Sequence, residues 1–328
     1  MLIQSVSRYL VVTIILTLAI CQTVIAQNDP VAISKGKFFH SGVYTFQKTS
    51  TLSSCWKNVP RRFSNRHKKT FILATGANTG KLKKANQDAR LFKIAMQKRF
   101  NVPEDQTCFL KNVYRAQFEQ ALLKLKRWVK KGDIVIIFFS GHGSFVDDDN
   151  GDEPDKYDDV LVTKDVEDER WPKRKEVVTD DRLVELVNRL PTQRILTFID
   201  ACFSGGMYMG PKNDVNQHTH AKFFRKGNLG PKKKPSFQFN SLRSSRRPAN
   251  FAHIKGVVFA AAREDQKAWE DQRGGIFTTT FLQQLKRYRR ASLKRIFKYT
   301  ATEVRKSKRT KEFQHPEMKG NSRLANNL

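Results

Sequence analysis

Two short stretches combine residue types that can do covalent chemistry. Asp200-Ala201-Cys202-Phe203-Ser204-Gly205-Gly206 carries a cysteine among small and polar neighbours, and Ser140-Gly141-His142-Gly143 carries a histidine between glycines. A thiol near an imidazole is a nucleophile near its general base. The competing reading of Cys202 is an inert buried thiol, but Asp, Ser and two glycines make a poor apolar burial site and a good exposed turn. His142 taken alone reads better as a satisfied structural histidine.

Each stretch closes an apolar, β-branched run: Ile134-Val135-Ile136-Ile137-Phe138-Phe139 before the histidine and Ile195-Leu196-Thr197-Phe198-Ile199 before the cysteine. Such runs read as parallel strands buried on both faces, and open α/β sheets gather their chemistry at the carboxyl ends of those strands. Around them the pattern predicts strands over 70–75, 107–110 and 256–262, and helices over 85–100, 117–129, 180–190, 277–289 and 293–304. Thr179 is a good N-cap for the third of these helices. Alternating strands and helices imply right-handed crossovers and a mostly parallel α/β sheet.

The chain has 328 residues, 39% of them hydrophobic, enough for a large core and too many for a disordered chain. Its net charge of +30 by itself points to polyanions as contacts: nucleic acid, anionic lipid or anionic cell-surface polymers. The charge is uneven. Residues 147–170 hold twelve Asp/Glu against three bases and read as an acidic loop, whereas 211–250 hold ten Lys/Arg against Asp214 alone and read as a mobile basic loop. The basic run 243–247 lacks interleaved aromatics, which favours a solubilising role over single-strand binding, and no specific nucleic-acid partner is expected.

Residues 1–26 have Arg8, an apolar centre and Val24-Ile25-Ala26 before Gln27, the pattern of a cleaved secretory signal, with an uncleaved anchor as the alternative. Cleavage would leave no transmembrane span and a periplasmic or secreted protein. In an oxidising destination Cys55 and Cys108 can pair and leave Cys202 as the odd thiol, although sequence alone does not show the pairing.

Taken together, the His and Cys motifs resemble the paired motifs of the caspase-like cysteine peptidases, most of all the bacterial metacaspases. Ala260-Ala261-Ala262 with Gln266, Ala268 and Glu270, then Gly275-Ile276-Phe277-Thr278, resembles that family's small-subunit region. The resemblance implies a three-layer sandwich with a mostly parallel sheet flanked by helices. It divides the chain into an extension or pro-segment (27–68), a large-subunit region (69–210), the basic loop (211–250) and a small-subunit region with a basic tail (251–328).

Carried over by position, the resemblance implies His142 as general base and Cys202 as nucleophile, with the N–H groups of Gly143 and Cys202 polarising the carbonyl. Asp200 would help to bind Arg or Lys before the cut bond, against the alternative of a turn cap. Metacaspases are often calcium-activated, and Asp158, Asp180 and Asp181 fall where the family has ligands. The departures are the lack of a carboxylate soon after Cys202 and Phe203 in place of a common histidine. Calcium therefore competes with a reading in which the acids only neutralise nearby bases, and no other cofactor is implied. Self-cleavage is expected within 211–250, after a base such as Lys234, Arg243 or Arg247. The alternatives to an exported Arg/Lys-directed endopeptidase are an inactive caspase-like scaffold and a polyanion-binding protein.

Overall fold

The computed structural model describes residues 55–56, 68–151, 157–166, 171–202, 219–224, 253–263, 266–310 and 314–328. The signal-like segment, Lys234, Arg243 and Arg247 lie outside these. All described residues belong to the unit Gln47–Leu328.

Five parallel strands form the centre: β1 (Thr70–Gly76), β2 (Thr107–Lys111), β3 (Ile134–Ser140), β7 (Arg194–Asp200) and β9 (Val257–Ala260). The antiparallel strand β12 (Glu317–Gly320) closes one edge, giving the order β12-β9-β7-β3-β1-β2. Every residue of β3 is buried, so the strand can read as an unbroken apolar run, with alternate side chains feeding opposite faces.

Val135, Ile137 and Phe139 of β3 face helices α2 (Arg115–Lys126) and α3 (Asp180–Asn188), through Phe118, Leu122, Leu125, Leu183 and Leu186. Ile136 and Phe138 face the other layer, built by α1 (Ala85–Phe100), α4 (Ile276–Arg287) and α5 (Leu293–Lys306). There Phe92 stacks on Phe138 at 4.2 Å, and Phe198 stacks on Phe259 at 4.3 Å. The three layers are those the resemblance implies. Thr179 caps α3, accepting from the Arg182 N–H at 3.2 Å. Cys55 and Cys108 form a disulfide at the β2 edge, beside buried Trp56, which answers the pairing left open by sequence.

Three readings need correction. The acidic loop is partly a strand: β5 (Tyr157–Val162) lies between β4 (Gly143–Asp147) and β6 (Val177–Thr179) in a small antiparallel sheet. Asp158 and Asp159 are buried in it, and consecutive acids hid the strand signal. The tail contributes β12 to the main sheet, although Glu317 and Lys319 give it no apolar run. Finally, the basic loop is not free throughout. Its β8 (His220–Ala221) pairs antiparallel with β10 (Trp269–Asp271), which in turn pairs with β11 (Gly274–Gly275), and Thr219, Lys222 and Phe224 are buried.

Candidate active site

The register of β3 against β7 sets Ser140 opposite Asp200, so the turns after the two strands leave the sheet side by side. Gly141 N–H donates to the Asp200 carbonyl at 3.3 Å. A Cβ on Gly143 would sit 1.5 Å from the Cys202 carbonyl oxygen, so only glycine lets the His turn approach the Cys turn this closely.

The place where those turns meet is filled by the chain's own residues 219–224. Gly143 N–H donates to the Lys222 carbonyl oxygen at 2.9 Å, and Cys202 N–H donates to the same oxygen at 3.2 Å. The two amides singled out in the sequence thus converge on one carbonyl. Lys222 N–H donates to the Ala268 carbonyl at 2.8 Å, continuing the β8–β10 pairing toward the cysteine. On the other side Phe224 N–H donates to the Gly143 carbonyl at 2.8 Å, and Ser144 Oγ donates to the Phe224 carbonyl at 3.0 Å. The segment is held as an added strand by its backbone, the usual way an extended peptide is recognised.

The Lys222 side chain enters a closed acidic pocket. Its Nζ lies 3.1 Å from Asp200 Oδ2 and 3.3 Å from Asp88 Oδ2, and donates to Ser140 Oγ at 2.7 Å. Thr278 Oγ1 donates to Asp200 Oδ2 at 2.5 Å, and Gly275 N–H donates to Asp88 Oδ2 at 2.9 Å. A Cβ on Gly275 would fall 2.0 Å from Asp200 Oδ2 and 2.7 Å from Lys222 Nζ, so a glycine makes the pocket deep enough for the ammonium.

Burial disfavours the Lys222 ammonium, but Asp200, Asp88 and Glu270 outweigh it and raise its pKa. Asp88 is pushed up to about 7, mainly by burial, with Lys222 opposing. Sequence reasoning passed over Asp88, yet it sits on the buried stripe of α1 with Ala85, Ala89, Phe92 and Met96. A carboxylate on the apolar face of an amphipathic helix is a signal in itself. Glu270 and Thr278 fall inside stretches that carried the family resemblance, without a role attached.

His142 and Cys202 are both buried, at 4% and 0% exposure, which corrects the exposed turn expected for Cys202: residues 219–224 lie across it and its side chain joins a buried apolar cluster. Burial, and next the Lys222 charge, push the imidazole down to about 3. Burial pushes the thiol up to about 12, with Ala268 and Lys222 opposing. Cys202 Sγ accepts from Ala268 N–H at 2.9 Å and donates to its carbonyl at 3.3 Å, and His142 Nδ1 has no hydrogen-bond partner among the described residues. With the segment in place, both groups are neutral at pH 7 and sealed from water.

Asp158, Asp180 and Asp181 lie apart from this pocket, around β5 and the start of α3. Asp158 pairs with Arg174, and Asn150 Nδ2 donates to Asp181 Oδ2 at 2.6 Å. Burial, then Asp159 and Asp158, push Asp180 up to about 8. Among the described residues no three His, Cys, Asp or Glu side chains group closely enough to hold a metal ion, and Arg174 supplies the positive charge that Asp158 meets.

The chain is 28% identical over 144 residues to Metacaspase-6 of Arabidopsis thaliana, covering 41% of this chain and 37% of that protein. It is 32% identical over 136 residues to Metacaspase-2 of the same plant, covering 38% and 31%. These matches span about a third of the relatives' own length. A solved structure from Geobacter sulfurreducens aligns with a TM-score of 0.54 at 21% identity, over 77% of this chain and 94% of that one, which bears on the fold alone. A family model described as the caspase domain matches residues 68–327, most of the chain and both motif-bearing turns, and the protein therefore belongs to the caspase-domain family of peptidases.

Proposed function

We propose that the protein is a latent cysteine endopeptidase that cuts after Lys or Arg, and that its first substrate is its own Lys222–Phe223 bond. One observation carries the reading. The carbonyl of Lys222 receives the N–H groups of Gly143 and Cys202 while its ammonium pairs with Asp200 and Asp88, which is how a scissile residue would be held.

In the cut, Cys202 passes its proton to His142 and the thiolate attacks the Lys222 carbonyl carbon. The negative charge that develops on the oxygen meets the two amides, at distances suited to such a donor pair. The bond to the Phe223 nitrogen breaks as His142 returns the proton to it, and water then hydrolyses the thioester. The latency has a physical cause: a thiol at about 12 and an imidazole at about 3 do not form an ion pair at pH 7. The thiol must leave Ala268, and water or an opening of the segment must restore ordinary acidities before attack. Thus Lys222 takes the place expected of Lys234, Arg243 or Arg247.

Export belongs to the same reading, supported by the signal-like start and the Cys55–Cys108 disulfide, a bond that persists in oxidising compartments. Calcium enters as a proposal of its own, on Asp158, Asp180 and Asp181, and it requires a rearrangement. Among the described residues no three such acids group closely enough to hold a metal ion, so a divalent cation would have to displace Arg174 from Asp158 and draw the three together. No catalytic step runs through it.

The test is mass spectrometry of wild type, Cys202→Ala, His142→Ala and Lys222→Gln, with a fluorogenic peptide amide ending in Lys or Arg. The expected result is a cut after Lys222 in wild type only, and amide hydrolysis lost in the Cys202 and His142 variants. Amide hydrolysis that survives Cys202→Ala would sink the peptidase reading.

A further inference from the structure

Residues on the far side of the Lys222 carbonyl are held as firmly as Lys222 itself. Phe223 bridges Gly143 in parallel register, and Phe224 is tied by its N–H to the Gly143 carbonyl at 2.8 Å and by its carbonyl to Ser144 Oγ at 3.0 Å. The Phe224 ring is 5% exposed and closes a cluster whose other members are Val146, Val160, Val162, Val166 and Val177. All but Val166 come from the small sheet β4–β5–β6. None of these valines belongs to the two main core clusters, so this apolar cluster is completed by Phe224 and not by the body of the domain.

The same ring lies edge-to-face on His142, with centroids 5.3 Å apart. Phe223 is only partly buried and stacks at 6.3 Å on Phe145, which among the described residues also meets the rings of Tyr157 and Trp171. The first residue after the bond therefore lies over an aromatic surface, whereas the second enters an enclosed pocket.

We propose that this valine-lined pocket is a specificity site for substrates, taking an aromatic side chain at the second position after the cut bond. The preferred protein substrate has a Lys or Arg, then any residue the Phe145 surface tolerates, then Phe or Tyr. The proposal rests on the cleavage reading above. It extends that reading from the charged pocket, which chooses the residue before the bond, to the small sheet, which chooses the second residue after it. An aromatic there also packs edge-to-face on the His142 ring, as Phe224 does, whereas an alanine leaves the pocket empty.

The test uses the full-length wild-type protein after self-processing, with two quenched fluorescent peptides, His-Ala-Lys-Phe-Phe-Arg and His-Ala-Lys-Phe-Ala-Arg. The expected kcat/KM ratio is on the order of a hundredfold in favour of the first, the upper part of the range for apolar pocket discrimination. Rates within twofold of each other overturn the pocket assignment and leave the cleavage reading standing. Cleavage of neither peptide after Lys overturns the cleavage reading, and this proposal with it. Val166→Phe fills the pocket and is expected to erase the ratio. Val177→Ala enlarges it and is expected to move the preference toward Trp at the same position. A ratio unchanged in both variants places the preference elsewhere and also overturns the assignment.

Discussion

The ammonium of Lys222 lies 3.1 Å from the carboxylate of Asp200, and neither side chain has any exposure to solvent. Breaking a buried pair leaves an uncompensated charge, which typically costs about 3–5 kcal/mol. Asp200→Asn, made in a Cys202→Ala background so that the chain stays whole, is expected to lose stability of that order in urea unfolding. In the active protein it should lower cleavage after Lys and Arg. Unchanged unfolding and unchanged specificity would mean that Asp88 and Glu270 hold the ammonium without Asp200.

The sealed thiol makes a prediction about reactivity. With Cys202 raised to about 12, the His142→Ala protein should react with iodoacetamide at pH 8 on the order of a hundredfold more slowly when native than in urea. Lys222→Glu in the same background sets like charges against Asp200 and Asp88 and should expel the segment, restoring fast alkylation. Equal rates in all three samples would show that the segment does not seal the thiol.

His142 links the closed site to pH. Its folded value of about 3 lies below the ordinary 6.5, so from pH 6.5 downward the unfolded chain takes up a proton that the folded chain refuses. The stability it contributes is complete above pH 6.5 and falls as pH drops, by ~1.4 kcal/mol per unit, or about 2 kcal/mol at pH 5. Buried acids such as Asp88 titrate with the opposite sign. The difference in stability between Cys202→Ala and Cys202→Ala/His142→Gln, followed from pH 7.5 to 5, isolates the histidine. A difference that stays flat over that range contradicts the assignment.

Calcium is expected to raise the melting temperature of the Cys202→Ala protein, with a chelator reversing the gain and Asp180→Asn abolishing it. Identical melting with calcium and with chelator would leave Arg174 as the sole answer to these acids.

The disulfide closes a loop with a sequence separation of 53 residues, for which chain-entropy arguments predict about 4 kcal/mol. Cys108→Ala and mild reduction should each lower stability by about 2–4 kcal/mol in denaturant titration. A loss from Cys108→Ala without a matching loss on reduction would assign the effect to packing around Trp56.

The main sheet was legible in the sequence because strands buried on both faces must be apolar throughout, and β3 and β7 advertise themselves that way. Helices α1 and α5 were legible for the same reason in another period, their buried residues recurring three and four apart. The turns bearing His142 and Cys202 followed, since a glycine-rich break after such a strand has one place to be.

Tertiary structure alone decided what meets at those turns. Asp88, Asp200 and Glu270 come from α1, β7 and β10, and no local pattern shows that one ammonium will sit among all three. Lys222 is one of ten bases in a loop without period, distinguished only by the groups that close around it. β5 was hidden because consecutive acids oppose a strand unless a partner such as Arg174, twelve residues beyond the strand, takes up their charge. Sequence determines the elements whose stability is local and apolar; the occupancy of a polar pocket depends on charges brought together from distant parts of the chain, and only the folded arrangement sets those distances.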